Sequence, residues 1–366
     1  MISLTAKKRI LDIEPYRPGK PIAEVKRELG LKSVIKLASN ENPYGPSPKA
    51  IEAIRREAGN VNRYPDGGCF YLRQTLAKHL AVKPEQLIFG NGSDEIIVMA
   101  IKAFVGEGDE VVIAKPSFLI YEIASRIEGA VVKPVPLVDF RYDLAAMEKA
   151  VTPKTRMIFI GNPDNPAGTF VTAAQLADFL KNTRPDIFVF IDEAYFEYVT
   201  GGDYPDTFKL QKTYKNILVT RTFSKMYALA GLRVGYGIAD PEVIGILNRV
   251  REPFNINSLA QAAAVACLKD QKYYRGIAKL VGEQRQFLYE QLRDAGLPFV
   301  PSATNFVLID VKQNGSDVAG RLLRKGVIVR DMGCWGLTRY IRVTIGTASE
   351  NKRFIKTLKA ILQEEA

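Results

Sequence analysis

Residues 156–192, RMIFIGNPDNPAGTFVTAAQLADFLKNTRPDIFVFID, hold the pattern that decides the fold. Two short β-rich runs, RMIFI and IFVFI, are apolar at every position but the first Arg, which suits strands covered on both faces. Between them the chain reads at helical period from Ala173 to Leu180, and Thr172 stands where an N-cap hydroxyl belongs. Strand, helix and strand in this order make one unit of a largely parallel α/β sheet.

The alternation continues outward in both directions. Strands are predicted over Gln86–Phe89, Glu110–Ala114, Val131–Val135, Arg156–Ile160, Ile187–Ile191, Ile217–Thr220 and Val234–Ile238, with a further helix over Asp94–Phe104. Beyond residue 240 the texture turns helical, in EVIGILNRV and the long QAAAVACLKDQKYYRGIAKLVGEQRQFLYEQLRDAG. Strand candidates NFVLIDV, GVIVRD and YIRVTIG follow, then a last helix from about Glu350. The expected organisation is an N-terminal arm with part of a smaller domain over 1–40, a large α/β domain over 41–270 and a small α+β domain over 271–366.

The net charge of +11 invites a nucleic-acid reading, so its distribution matters. Residues 1–36 hold 9 Lys and Arg against 4 Asp and Glu, residues 37–270 hold 26 against 27, and residues 271–366 hold 16 against 9. The balanced middle argues against a continuous basic stripe, and no nucleic-acid partner is expected. Three widely spaced cysteines, Cys69, Cys267 and Cys334, do not make a disulfide framework. The start of the chain has no long apolar run behind its basic residues, and no segment reaches the roughly 18 apolar residues of a membrane span. A cytoplasmic protein without a membrane partner is expected. The single histidine, His79, excludes a metal cluster built on several histidines, and proton transfer is expected to fall to Lys, Tyr, Cys or carboxylates.

Polar and Gly/Pro punctuation falls just after the predicted strands: Gly90–Asp94, Lys115-Pro116, Gly161–Pro166, Asp192–Tyr195 and Thr222–Lys225. The carboxyl ends of strands border the ligand crevice of an open α/β sheet. Each stretch has two readings. Gly92-Ser93-Asp94 can cradle a phosphate at a helix start or simply cap the helix. Asn165-Pro166 can offer an amide or merely turn the chain. Asp192 can face a cationic ligand or terminate a strand. Lys225 can supply a desolvated amine for a Schiff base or lie on the surface, and Arg233 can fork a phosphate or sit idle among glycines.

In this order, the helix-start loop, an aromatic, Asn-Pro, Asp-x-x-Tyr, Ser-Lys and an Arg eight residues on resemble the fold-type I pyridoxal-phosphate aminotransferases. The likeness runs through SNENPYGPSP, RYPD, GNGSDE, NPDNPAG, DEAYFEY, RTFSKMYALAGLRVGY and YIRVTIGT, along nearly the whole chain, and is greatest to the histidinol-phosphate branch of that family. It implies a large domain with a mostly parallel central sheet between helices, a smaller α+β domain, and pyridoxal 5'-phosphate as cofactor. Lys225 would hold the cofactor and move the substrate α-proton, and Asp192 would pair with the pyridine nitrogen. Asn165 and Tyr195 would bond the ring oxygen, and Phe118 would stack on the ring. Gly92, Ser93, Asp94, Ser224 and Arg233 would surround the phosphate, joined by Tyr64 from the partner of a homodimer. Arg342, Arg330, Tyr16 and Asn42 would line the site for small anionic substrates, histidinol phosphate and 2-oxoglutarate or glutamate. An aromatic amino acid aminotransferase and a threonine-phosphate decarboxylase share these motifs, and an aminotransferase-like nucleic-acid regulator is the rival of another class. Asp164 and Ala167 stand where the family more often has Asn and Thr, which predicts altered loop support with the chemistry unchanged. The resemblance also makes a cis bond before Pro166 an expectation.

Overall fold

The computed structural model describes residues 5–16 and 18–364 and, among them, twelve strands in two sheets. In chain order these are β1 (Ile35–Leu37), β2 (Leu87–Gly90), β3 (Glu110–Lys115), β4 (Val131–Pro136), β5 (Thr155–Gly161), β6 (Phe188–Asp192), β7 (Ile217–Thr222), β8 (Gly235–Ile238), β9 (Phe299–Val300), β10 (Phe306–Asp310), β11 (Val327–Asp331) and β12 (Tyr340–Thr344). The larger sheet runs β2-β8-β7-β6-β5-β3-β4. The strands from β7 to β4 run parallel to one another, and β8 is antiparallel to both β2 and β7.

Both faces of this sheet are covered, as the apolar runs require. Met157 and Phe159 of β5 join one buried cluster with Ile97, Phe190 and Leu218. Ile158 and Ile160, pointing the other way, join a second with Leu176, Phe179 and Ile191. Full burial of a side chain of this size contributes roughly 1.5–3 kcal/mol, so alternate residues of β5 hold the two helical layers on either face. The helix Ala173–Asn182 begins as predicted. Thr172 accepts from the Gln175 amide at 3.4 Å, and the Gln175 side chain accepts from the Thr172 amide at 3.0 Å. Strand β4 carries Pro134 and Pro136 and lies at the sheet edge, where a missing N–H breaks no inner ladder.

The smaller sheet runs β1-β11-β12-β10-β9. Its first strand comes from the N-terminal segment and pairs parallel to β11, Ile35 opposite Val327. The long helical stretch after residue 258 is broken into helices Ser258–Leu268 and Gln271–Asp294, the second starting after Asp270. Predicted strand limits shift by one or two residues. Gln86, for example, belongs to a 3₁₀ turn, Pro84–Gln86, that ends before β2. The expected cis bond before Pro166 is corrected: cis peptides fall at Lys115–Pro116 and Asn162–Pro163. The X-Pro sequences share the same local chemistry, so nothing in the sequence separates these bonds from the one before Pro166. All three cysteines are free, and no helix among the described residues is long and apolar enough to cross a membrane.

Candidate active site

A cavity of about 270 Å³ lies where the carboxyl ends of β5, β6 and β7 meet the smaller sheet and the segment 38–41. Of the residues predicted for the site, it is lined by Tyr16, Ser93, Asp94, Phe118, Asn165, Asp192, Tyr195, Ser224, Lys225, Arg233, Arg330 and Arg342. The remaining three are elsewhere. Gly92 sits one residue behind the lining with φ +80, a conformation that favours glycine, and the Arg233 guanidinium lies where a Cβ would be. Asn42 is turned away: its Nδ2 donates to the Met226 carbonyl at 2.8 Å, pinning the chain beside Lys225. Tyr64 stands 84% exposed outside the cavity, stacked on Phe254 at 4.9 Å.

Asp192 ends β6, and its carboxylate is held from three directions. Oδ2 accepts from the Tyr121 hydroxyl at 2.8 Å, while Oδ1 accepts from the Ala194 amide at 3.1 Å and the Thr220 hydroxyl at 3.4 Å. Burial pushes its carboxyl up to about 6 in spite of these donors. The next residue, Glu193, forms a buried ion pair with Arg221 at 2.8 Å, which fixes the adjoining ends of β6 and β7.

Lys225 follows β7 in a loop whose Ser224 amide donates to Thr222 Oγ1 at 3.1 Å. Its half-buried amine donates to the Ser39 carbonyl at 3.3 Å, and desolvation, assisted by Arg342, pulls it down to about 8. Tyr195 is pushed up to about 12 by burial, against the pull of Arg342, and so stays a neutral phenol. It accepts from Asn40 Nδ2 at 2.9 Å.

The helix Ser93–Phe104 opens at Gly92 with no side-chain cap among the described residues, and Gly235 of β8 packs against it so closely that a Cβ would lie 2.5 Å from the Ser93 nitrogen. Arg233, in a left-handed conformation at φ +55, bonds Asp94 at 3.3 Å. A helix N terminus beside a guanidinium is a site for a phosphate. On the far wall, Arg330 and Arg342 face each other across β11 and β12. Arg342 Nη1 donates to Asn165 Oδ1 and Nη2 to the Ala38 carbonyl at 3.3 Å, while the Nε of each arginine is buried without a partner among the described residues.

Asp164 supports the Asn165 loop from below. It is buried, accepts from Tyr142 at 3.1 Å and from the Ala167 amide at 3.1 Å, and burial pushes it up to about 7. Sequence reasoning missed Asn40, Tyr121 and Trp335. The available signal was strongest for Tyr121, which falls three residues after Phe118, on the same face of the helix Leu119–Glu128.

A sheet wound in this order, with an amine, a buried carboxylate and a phosphate cradle at its carboxyl edge, defines a class of group-transfer enzymes, and the chain belongs to the class I and II aminotransferase family. The family model matches residues 32–358. The histidinol-phosphate aminotransferase of Moorella thermoacetica is 50% identical over 96% of this chain and 92% of its own length. That of Brevibacillus brevis is 47% identical over 97% and 98%. Among solved structures, histidinol-phosphate aminotransferase from Sinorhizobium meliloti, in complex with pyridoxal-5'-phosphate, superposes with a TM-score of 0.90 at 28% identity, covering 100% of both chains.

Proposed function

We propose that this chain is a pyridoxal-phosphate-dependent enzyme that transfers the amino group of L-histidinol phosphate to 2-oxoglutarate, giving imidazole acetol phosphate and glutamate in histidine biosynthesis. The observation that carries the reading is a depressed amine, Lys225, and a buried carboxylate, Asp192, on one cavity whose walls also hold two opposed arginines. The donor set fits the cofactor: an amine for its aldehyde, a carboxylate for its ring nitrogen, a helix N terminus and Arg233 for its phosphate. When bound, the cofactor supplies an electron sink for the charge left by loss of the α-proton. The protein does the rest. Lys225 would take and return that proton, Asp192 would hold the ring nitrogen, Asn165 and Tyr195 would offer hydrogen bonds to the ring oxygen, and Phe118 would pack on the ring. Arg330 and Arg342 take the anionic end of the substrate, with Tyr16 at the rim.

The visible band of the cofactor-loaded protein is expected to bleach with histidinol phosphate and to return with 2-oxoglutarate. Phenylalanine acting equally well would make it an aromatic aminotransferase, and carbon dioxide released from threonine phosphate would make it a decarboxylase.

The depressed amine has its own test. A neutral amine is the nucleophile, and at pH 7 about a tenth of Lys225 is neutral, against roughly one part in 3,000 for an ordinary lysine. The rate at which cofactor-free protein captures pyridoxal phosphate should climb with pH to about 8 and then level. A rate still climbing toward 10.5 would remove the depressed amine from the reading.

The enzyme is further proposed to work in the cytoplasm as a homodimer. Val61, Tyr64, Phe70, Tyr71 and Phe254 are all exposed on the chain, an apolar surface of the kind that subunit contact covers. Tyr64 would then reach the phosphate of the partner's cofactor.

A further inference from the structure

Trp335 is the only tryptophan in the chain, and it is buried in the wall of the cavity. Its surroundings pose an electrostatic problem. Arg330 and Arg342 occupy directly opposed positions of an antiparallel pair, where like charges repel. What lies against both is the indole, with its ring centre 5.1 Å from the Arg330 guanidinium and 5.9 Å from that of Arg342. A ring face attracts a cation most where water is excluded.

The indole is fixed from behind. Val300, Leu308 and Met332 pack with it, and its N–H donates to the Ser117 carbonyl at 2.9 Å. Ser117 precedes Phe118, so one side chain joins the arginine wall to the loop that follows β3.

We infer that Trp335 is a specificity-determining positioning residue that holds Arg330 and Arg342 as one pair for a substrate phosphate. The inference rests on the transamination proposed above. A doubly charged phosphate can use both guanidiniums at once, whereas a single carboxylate group is satisfied by one fork. Loss of the ring face therefore weakens the phosphorylated substrate more than the dicarboxylate.

The test uses the cofactor-loaded enzyme with Trp335→Leu and Trp335→Phe. Trp335→Leu is expected to raise KM for histidinol phosphate about tenfold, with kcat and KM for 2-oxoglutarate within about twofold, and Trp335→Phe to raise it less. Because the chain has one tryptophan, its emission in the wild type reports this wall alone, and inorganic phosphate is expected to change it saturably. A folded Trp335→Leu enzyme whose two KM values stay put, or rise together, overturns the inference. Should that variant not fold, an unchanged KM ratio in Trp335→Phe with no phosphate response in wild-type emission overturns it equally. Failure of the wild type to turn over histidinol phosphate would instead overturn the proposed reaction, and the emission titration would then decide the role of Trp335 by itself.

Discussion

Lys225→Ala is expected to lower turnover by about four orders of magnitude, the upper range for removal of a positioned acid–base group. No other side chain can take over. The lone histidine, His79, is on the helix Phe70–Leu80 and does not line the cavity, and the phenol of Tyr195, pushed up to about 12, is a poor base. The substitution should leave the fold intact, because among the described residues the amine's hydrogen bond is to the Ser39 carbonyl alone, and it carries a desolvation cost in the wild type. Steady-state rates and thermal melts of both proteins check this, and a small primary amine in the buffer should restore part of the lost rate. Full turnover by the alanine variant would sink the assignment of Lys225.

Asp192→Asn is expected to lower kcat by about two to three orders of magnitude, in the range found when one preorganised charge or donor is removed. The same change should raise the stability of the cofactor-free protein. The carboxyl is raised from 3.8 to about 6 in the folded chain, so the folded state binds more protons than the unfolded one across that interval. Stability therefore falls as pH rises through it, and at neutral pH the desolvated carboxylate costs on the order of a few kcal/mol. The asparagine keeps the shape without the charge: its Oδ1 can accept from the Ala194 amide while its Nδ2 donates to the Tyr121 hydroxyl oxygen. Melting curves of the cofactor-free proteins at pH 5 and pH 7.5 should show the gap between variant and wild type widening with pH. A variant less stable than wild type at neutral pH would contradict this account of Asp192.

Legibility differed sharply between the sheet and the site. Strands β5 and β6 could be read because covering both faces demands apolar residues throughout, and Thr172 marked the intervening helix by its capping chemistry. Strand β1 could not, because three residues at the edge of a sheet carry no period, and their partner lies at the other end of the sequence. In the site, punctuation after strands located Asp192, Asn165 and Lys225. Tyr121 reaches Asp192 from inside a helix whose periodicity reveals the face, and not the atom it meets. Asn42 stands among the SNENP motif residues yet spends its amide on a backbone carbonyl, a choice set by a turn that only tertiary structure creates.

The pairing of Ile35 with Val327 has a consequence for how the chain is made. On the ribosome, β1 emerges about 290 residues ahead of its partner strand, a wait on the order of 15 to 60 s at ordinary elongation rates. Asn40, which follows β1, waits longer still for Thr344, whose hydroxyl accepts from its amide, and nearly as long for Asn305, which donates to its carbonyl. The large sheet is fully synthesised by residue 238, so it can fold first, while closure of the catalytic pocket comes last. A nascent chain stalled before β11 would thus carry Lys225 and Asp192 on a formed sheet and remain without activity.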